Sequence, residues 1–235
     1  MVRSEDSRRR STRETPVLST VDRIHAQLRR EILEGFHRPG ASLPVAATAT
    51  RMAVSAVPVR EALRRLEGER LVRFEANLGA TVEPISIEDL RDIYETRKVV
   101  EAAAVRVAVE SDAVDKDHLA DVIARMSEAY MAEDHGASYT LHREFHHLIV
   151  NATVQPRLHA MTLSLLDASD RYLRLAPGLP DEATVLVELH KDIADAILAS
   201  DPQGAHEAVI RHTDYSLGRL GTRHFANELP PLSDI

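Results

Sequence analysis

Ser55–Val72 reads Ser-Ala-Val-Pro-Val-Arg-Glu-Ala-Leu-Arg-Arg-Leu-Glu-Gly-Glu-Arg-Leu-Val. Ser55 is a good helix N-cap, because its hydroxyl can accept from the free amides of the first turn. Pro58 lies near the first helical position, where a missing N–H costs nothing. Val59, Ala62, Leu63 and Leu66 recur at helical spacing, while Arg60, Arg64 and Arg65 belong to the other face. Such a helix suits DNA reading. One face packs on a small core, and the other meets phosphates and base edges in the major groove.

Working outward, the flanks supply the rest of a DNA-binding domain. Val21, Ile24, Leu28, Ile32 and Leu33 predict a helix from about Thr20 to Glu34, ended by Gly35 and the Pro39-Gly40 turn. The Ala/Thr-rich stretch Leu43–Met52 predicts a second helix. Beyond the quoted stretch, Leu71–Ala76 and Ala80–Pro84 read as two short strands joined by Asn77-Leu78-Gly79. Three helices and a hairpin, in that order, make a winged helix-turn-helix over residues 16–84. Residues 1–15, with Arg8–Arg10 in a row, read as a disordered arm.

After Pro84 no strand pattern appears. Ser86, with Asp89 three residues on, caps a helix running to about Glu110. Further helices are expected over Lys116–Glu133, Ala137–Thr153, Gln155–Leu175, Asp181–Ala199 and Pro202–His224, punctuated by Pro156, Pro177-Gly178, Pro180 and Pro202. The fold class is mostly α: a winged helix-turn-helix followed by an all-helical bundle over 85–225, with a flexible tail over 226–235.

Charge follows the same division. Residues 1–83 hold 15 arginines against 11 acidic residues, net +4, inside a 235-residue chain of net charge −8. A basic binding module joined to an acidic partner domain fits that split. The chain has no cysteine, which excludes disulfide frameworks, thiolate metal sites and cysteine nucleophiles. No apolar run has membrane-spanning length and no signal peptide is evident, so a cytoplasmic protein without a membrane partner is expected.

The acidic half carries the second informative pattern. His142 and His146, four apart, share one face of a predicted helix, and His190 and His212 belong to two others. Neutral imidazole is a common ligand of divalent first-row metals, so three helices could converge these rings on one ion. A surface pair is the alternative, since His147 and His159 show that histidine is frequent nearby. The neighbours Phe145, Ile149, Ile193, Ile197 and Val209 place the four near core-facing stripes, where a polar group needs a partner. Arg97 lies in a largely apolar helix. It could clamp a ligand carboxylate bidentately, or pair internally with Glu101 at i+4. A hydrolytic zinc site is the competing function. Against it, no His-Glu-x-x-His motif occurs, and Glu144 projects away from both His142 and His146. No catalytic residue is assigned.

Pro58–Glu67, Leu71-Val72 and Gly79 resemble the DNA-binding signature of GntR-family transcriptional regulators, as do Leu28–Ile32 with Pro39-Gly40 and Leu43. Asp89-Leu90, Arg97, Glu101, Phe145-His146, His190 and His212 resemble the FCD ligand domain of the FadR group. The resemblance implies a homodimeric, ligand-responsive regulator, in most cases a repressor of a catabolic operon, on a pseudo-palindromic operator. By position it carries over Arg60 as a DNA contact; with Arg64 and Arg65, Arg60 is a candidate for phosphate or base-edge contacts, Arg29 or Arg30 for backbone contacts, and Ser55, Ala56, Val57, Pro58 and Gly79 complete the expected DNA-binding set. It also implies a divalent metal on His146, His190 and His212, and a carboxylate effector near Arg97 and Glu101. Two departures stand out. The family's aspartate ligand is His142 here, which shifts the expected metal towards zinc or nickel. The usual Arg and Thr at the start of the recognition helix are Ala56 and Val57, so operator preference is expected to be this chain's own.

Overall fold

The computed structural model describes residues 19–75, 78–175 and 180–225. The expected arm over 1–15, the tail over 226–235, Asn77 and Pro177-Gly178 lie outside the described residues. The chain divides into two compact units, one of residues up to Arg30 with Ser42–Thr81, the other of Glu31–Ala41 with Val82 onward.

The first unit contains most of α1 (Thr20–Leu33), then β1 (Ser42–Leu43), α2 (Val45–Arg51), α3 (Ala56–Gly68) and β2 (Val72–Glu75), with most of β3 (Gly79–Val82). Ser19 and Asp22 cap α1 reciprocally: Asp22 N donates to Ser19 Oγ at 3.1 Å, and Ser19 N donates to Asp22 Oδ2 at 3.2 Å. Ile24 and Leu28 of α1 and Val59, Ala62, Leu63 and Leu66 of α3 are buried, so the periodic apolar stripes do form the core. The expected helix over Leu43–Met52 needs correction at its start. Ser42–Leu43 is a strand, antiparallel to β3 with Leu43 opposite Ala80, and the sheet order is β1-β3-β2. Pro44 is the cause: its ring disfavours helical backbone at Leu43, so α2 starts at Val45. Ser55 does occupy the N-cap of α3, but its side chain makes no capping hydrogen bond.

Gly79, at the wing turn, has φ +105°. A Cβ there would lie 2.6 Å from the Leu43 carbonyl oxygen and 2.9 Å from Pro44 Cα. Glycine lets the wing close onto β1.

The second unit is built on α4 (Ile87–Glu110), α5 (Lys116–Met131), α6 (His135–Asn151), α7 (Pro156–Leu175), α8 (Pro180–Leu198) and α9 (Pro202–Phe225). Ser86 Oγ accepts from Asp89 N at 3.1 Å, the cap expected for α4. Small residues on α4 (Ala102, Ala108) and α9 (Ala205, Ala208) let those two helices approach closely. Around them pack Leu119, Val122 and Met126 of α5, Phe145 and Ile149 of α6, and Ile193 and Ile197 of α8. Leu90, Tyr94, Tyr172, Leu220 and Phe225 form a second cluster. Among the described residues, no helix is long and apolar enough to cross a membrane.

Candidate functional site

Four histidines of the helical unit converge at one point. The i,i+4 spacing on α6 stacks His142 and His146 with ring centroids 4.6 Å apart. His190 of α8 and His212 of α9 complete the group, 4.5 Å apart. One ring nitrogen from each of the four lies within 4.8 Å of the others. His146, His190 and His212 are buried, and His142 sits at the edge.

Hydrogen bonds fix which nitrogen is available. His190 Nδ1 lies 2.6 Å from the Leu186 carbonyl, which can only accept. His146 Nδ1 lies 2.9 Å from Glu101 Oε1. Both rings therefore carry their proton on Nδ1 and turn the Nε2 lone pair inward. His146 Nε2, His190 Nε2 and both nitrogens of His212 are buried without a hydrogen-bond partner among the described residues. Buried lone pairs left this way are costly, and a Lewis acid satisfies them. Burial, reinforced by the neighbouring rings, holds His142 and His212 well below the ordinary histidine range. Burial also lowers His190, to about 3. Neutral imidazoles converging with free lone pairs fit a divalent ion of the late first row.

Behind this cluster stands an ionic relay. Arg97, buried, donates from Nε and Nη2 to Glu101 Oε2 at 3.0 and 2.8 Å, and from Nη1 to Ser169 Oγ at 3.0 Å. Its guanidinium also lies over the Tyr94 ring, 4.8 Å from the centroid. Burial opposes ionisation of Glu101, but Arg97 and His146 outweigh it and hold the carboxyl down to about 2. Arg97 thus makes the internal pair with Glu101 that the i+4 spacing allowed. A cavity of about 440 Å³ adjoins the cluster at His142 and is also lined by Tyr130, Tyr139, Arg174, Leu186 and Ser216 among others. Of the four histidines only His142 lines it, and neither Arg97 nor Glu101 does. Ser169, Tyr94 and Arg174 carry no local sequence signal for these positions. Their roles depend on how distant helices register.

The first unit presents the arginines of α3 unevenly. Arg60 is exposed, with no hydrogen bond or ion pair among the described residues. Arg64 is exposed and lies 5.6 Å from the Phe74 ring centroid. Arg65 is tied to Asp22 at 2.8 Å and lies 3.6 Å from Glu61. Arg29 donates to Glu69 at 2.6 Å, whereas Arg30 faces solvent. Val57 is exposed, Ala56 and Pro58 partly so.

Two family models divide the chain between them. The model for bacterial regulatory proteins of the gntR family matches residues 20–82, and the FCD domain model matches residues 92–215. The chain belongs to the GntR family. As a GntR regulator with an FCD domain, it is 27% identical over 210 residues to the HTH-type transcriptional regulator BphR of Paraburkholderia xenovorans, covering 86% of this chain and 85% of that one. It is 28% identical over 197 residues to the HTH-type transcriptional repressor GlaR of Escherichia coli, covering 79% and 88%. The solved structure of Escherichia coli McbR/YncC shares the fold, with a TM-score of 0.73 at 23% identity over 88% of this chain and 99% of that one.

Membership corrects the competing reading. The family and these relatives are transcriptional regulators, so the metal-dependent hydrolase is set aside. The geometry agrees, since Glu144 is engaged with His118 at 2.9 Å on the outer side of α6.

Proposed function

We propose that this GntR regulator is a metal-dependent repressor that binds a pseudo-palindromic operator as a cytoplasmic homodimer and responds to a small carboxylate. The convergence of four imidazoles, with orphaned inward lone pairs beside a ligand-sized cavity, carries this reading. His142, His146, His190 and His212 hold a divalent ion, zinc or nickel by the donor set. The bound ion supplies a Lewis-acid centre for an anionic ligand. His142 belongs both to the cluster and to the lining of the cavity. Glu101 and Arg97 support His146 from behind, in place of the effector clamp that the resemblance implies.

In the winged unit, α3 enters the major groove with Arg60 and Arg64 forward. Arg30 is free for the backbone, and Arg29 and Arg65 keep their internal pairs. Two copies place two recognition helices about one helical turn apart. The effector acts by favouring one of two dimer states, which requires different affinity for each. Repression as the outcome is supported by relatives such as GlaR, a transcriptional repressor.

Elemental analysis of the purified protein, paired with mobility shift on the DNA adjoining its gene, tests this reading. A divalent ion in each subunit and a shift at low salt are expected. No metal, with melting unchanged by chelator, refutes the metal site. No shift at low salt refutes the operator.

A further inference from the structure

The start of α3 sets Arg60, which has no hydrogen-bond or ion-pair partner among the described residues, in an apolar surround. Pro44, Val45, Ala46, Ala56 and Leu78 form a recess of about 240 Å³ with Arg60 and Gly79, and no acid lines it. Val57 and Leu78 are each 71% exposed. Val57 precedes Arg60 by three residues and Arg64 by seven, so the three side chains share the solvent face of the helix. The opposite face, from Val59 to Leu66, is buried. Apolar groups gathered in one exposed place mark an interaction surface rather than scatter.

Duplex DNA supplies both chemistries that this surface asks for. Residues in the first turn of a recognition helix contact base edges. In the major groove, guanine offers paired acceptors to an arginine, and thymine's C5 methyl is the apolar group on offer. We infer that α3 reads each half-site with Arg60 on a guanine and with Val57 and Ala56 on the methyl groups of one or two adjacent thymines. Leu78 of the wing extends the same apolar strip. Sequence preference in this regulator thus comes from methyl contacts as much as from hydrogen bonds. The inference rests on the DNA-binding function proposed above and adds the groups that are read.

The test uses the full-length protein and duplexes enriched from a random pool. Each thymine of the best duplex is replaced in turn by deoxyuridine, which removes only the methyl. Affinity falls about four-fold per lost methyl at one or two positions beside a guanine, the value for one buried carbon. Val57→Ala weakens binding to the thymine duplex, and the uracil replacement at that position then has no further effect. The uracil series uses the unaltered protein, so it decides the matter even where the variant folds poorly. Equal affinity for all uracil duplexes overturns the inference and leaves the strip to a protein partner, while the operator function stands. A pool from which no duplex is enriched overturns the operator function itself.

Discussion

Single residues decide what the helical unit can hold, and the clearest case is Glu101. Its carboxylate accepts from Arg97 on one side and from His146 Nδ1 on the other. A carboxylate behind a ligating histidine orients the ring and raises its basicity. Glu101→Gln keeps the shape and removes the charge. Metal affinity is expected to fall about 10- to 100-fold, read by competition with a chromophoric chelator, with the helical content unchanged. Arg97→Leu is a different perturbation, because it leaves Glu101 charged and buried without its cation. A loss of about 3–5 kcal/mol in urea denaturation is expected. The sequence left Arg97 between an effector clamp and an internal pair. Spacing alone could not choose, since Glu101 at i+4 suits either. The internal pair is completed by Ser169, 72 positions from Arg97, and by His146, 45 positions from Glu101. Long-range register of that kind has no local signature.

At the scale of elements, periodicity and capping carried most of the information. The stripe from Val59 to Leu66 is buried as its spacing requires, and the Ser86–Asp89 cap is made. The same logic failed at Leu43, where Pro44 outweighed an Ala/Thr-rich helix pattern and left room for a strand on the wing. It also missed the Ser19–Asp22 box at the start of α1. Within α3 the pattern could not rank the arginines, and their partners do. Arg60 has no ion-pair partner among the described residues, whereas Arg65 is engaged with Asp22 and Glu61. In mobility-shift titrations at fixed salt, Arg60→Ala is expected to weaken operator binding at least ten-fold, the range of one base-edge contact. Arg65→Ala is expected to change it less than three-fold and to cost under about 1 kcal/mol of stability, as exposed ion pairs do. Equal losses from the two variants would mean that the ion pairs of Arg65 open on DNA.

For the whole molecule, the histidine cluster sets a dependence on acidity that the net charge does not reveal. His142, His190 and His212 are held neutral in the folded chain by burial, His190 down to about 3, while the unfolded chain binds protons near 6.5. The sign follows directly. Above about pH 6.5 neither state binds these protons, and stability is flat with respect to them. Below it the unfolded state takes up protons that the folded state refuses, so stability is lost as the pH falls. Each histidine contributes about 1.4 kcal/mol per pH unit over that window. A bound ion acts in the same direction, because its ligands must be deprotonated and its release accompanies acidification. Thermal melts of chelator-stripped protein between pH 8 and 5 test the first effect, and melts of metal-loaded protein test the second. The stripped protein is expected to hold its melting temperature from pH 8 to 6.5 and then to drop steeply. The loaded protein is expected to melt higher at pH 8 and to converge on the stripped curve as the ion is lost. A stripped protein whose melting temperature is level down to pH 5 would show that the imidazoles find partners without an ion. In that case the buried cluster would be a hydrogen-bonded network, and metal would have no part in holding α6, α8 and α9 together.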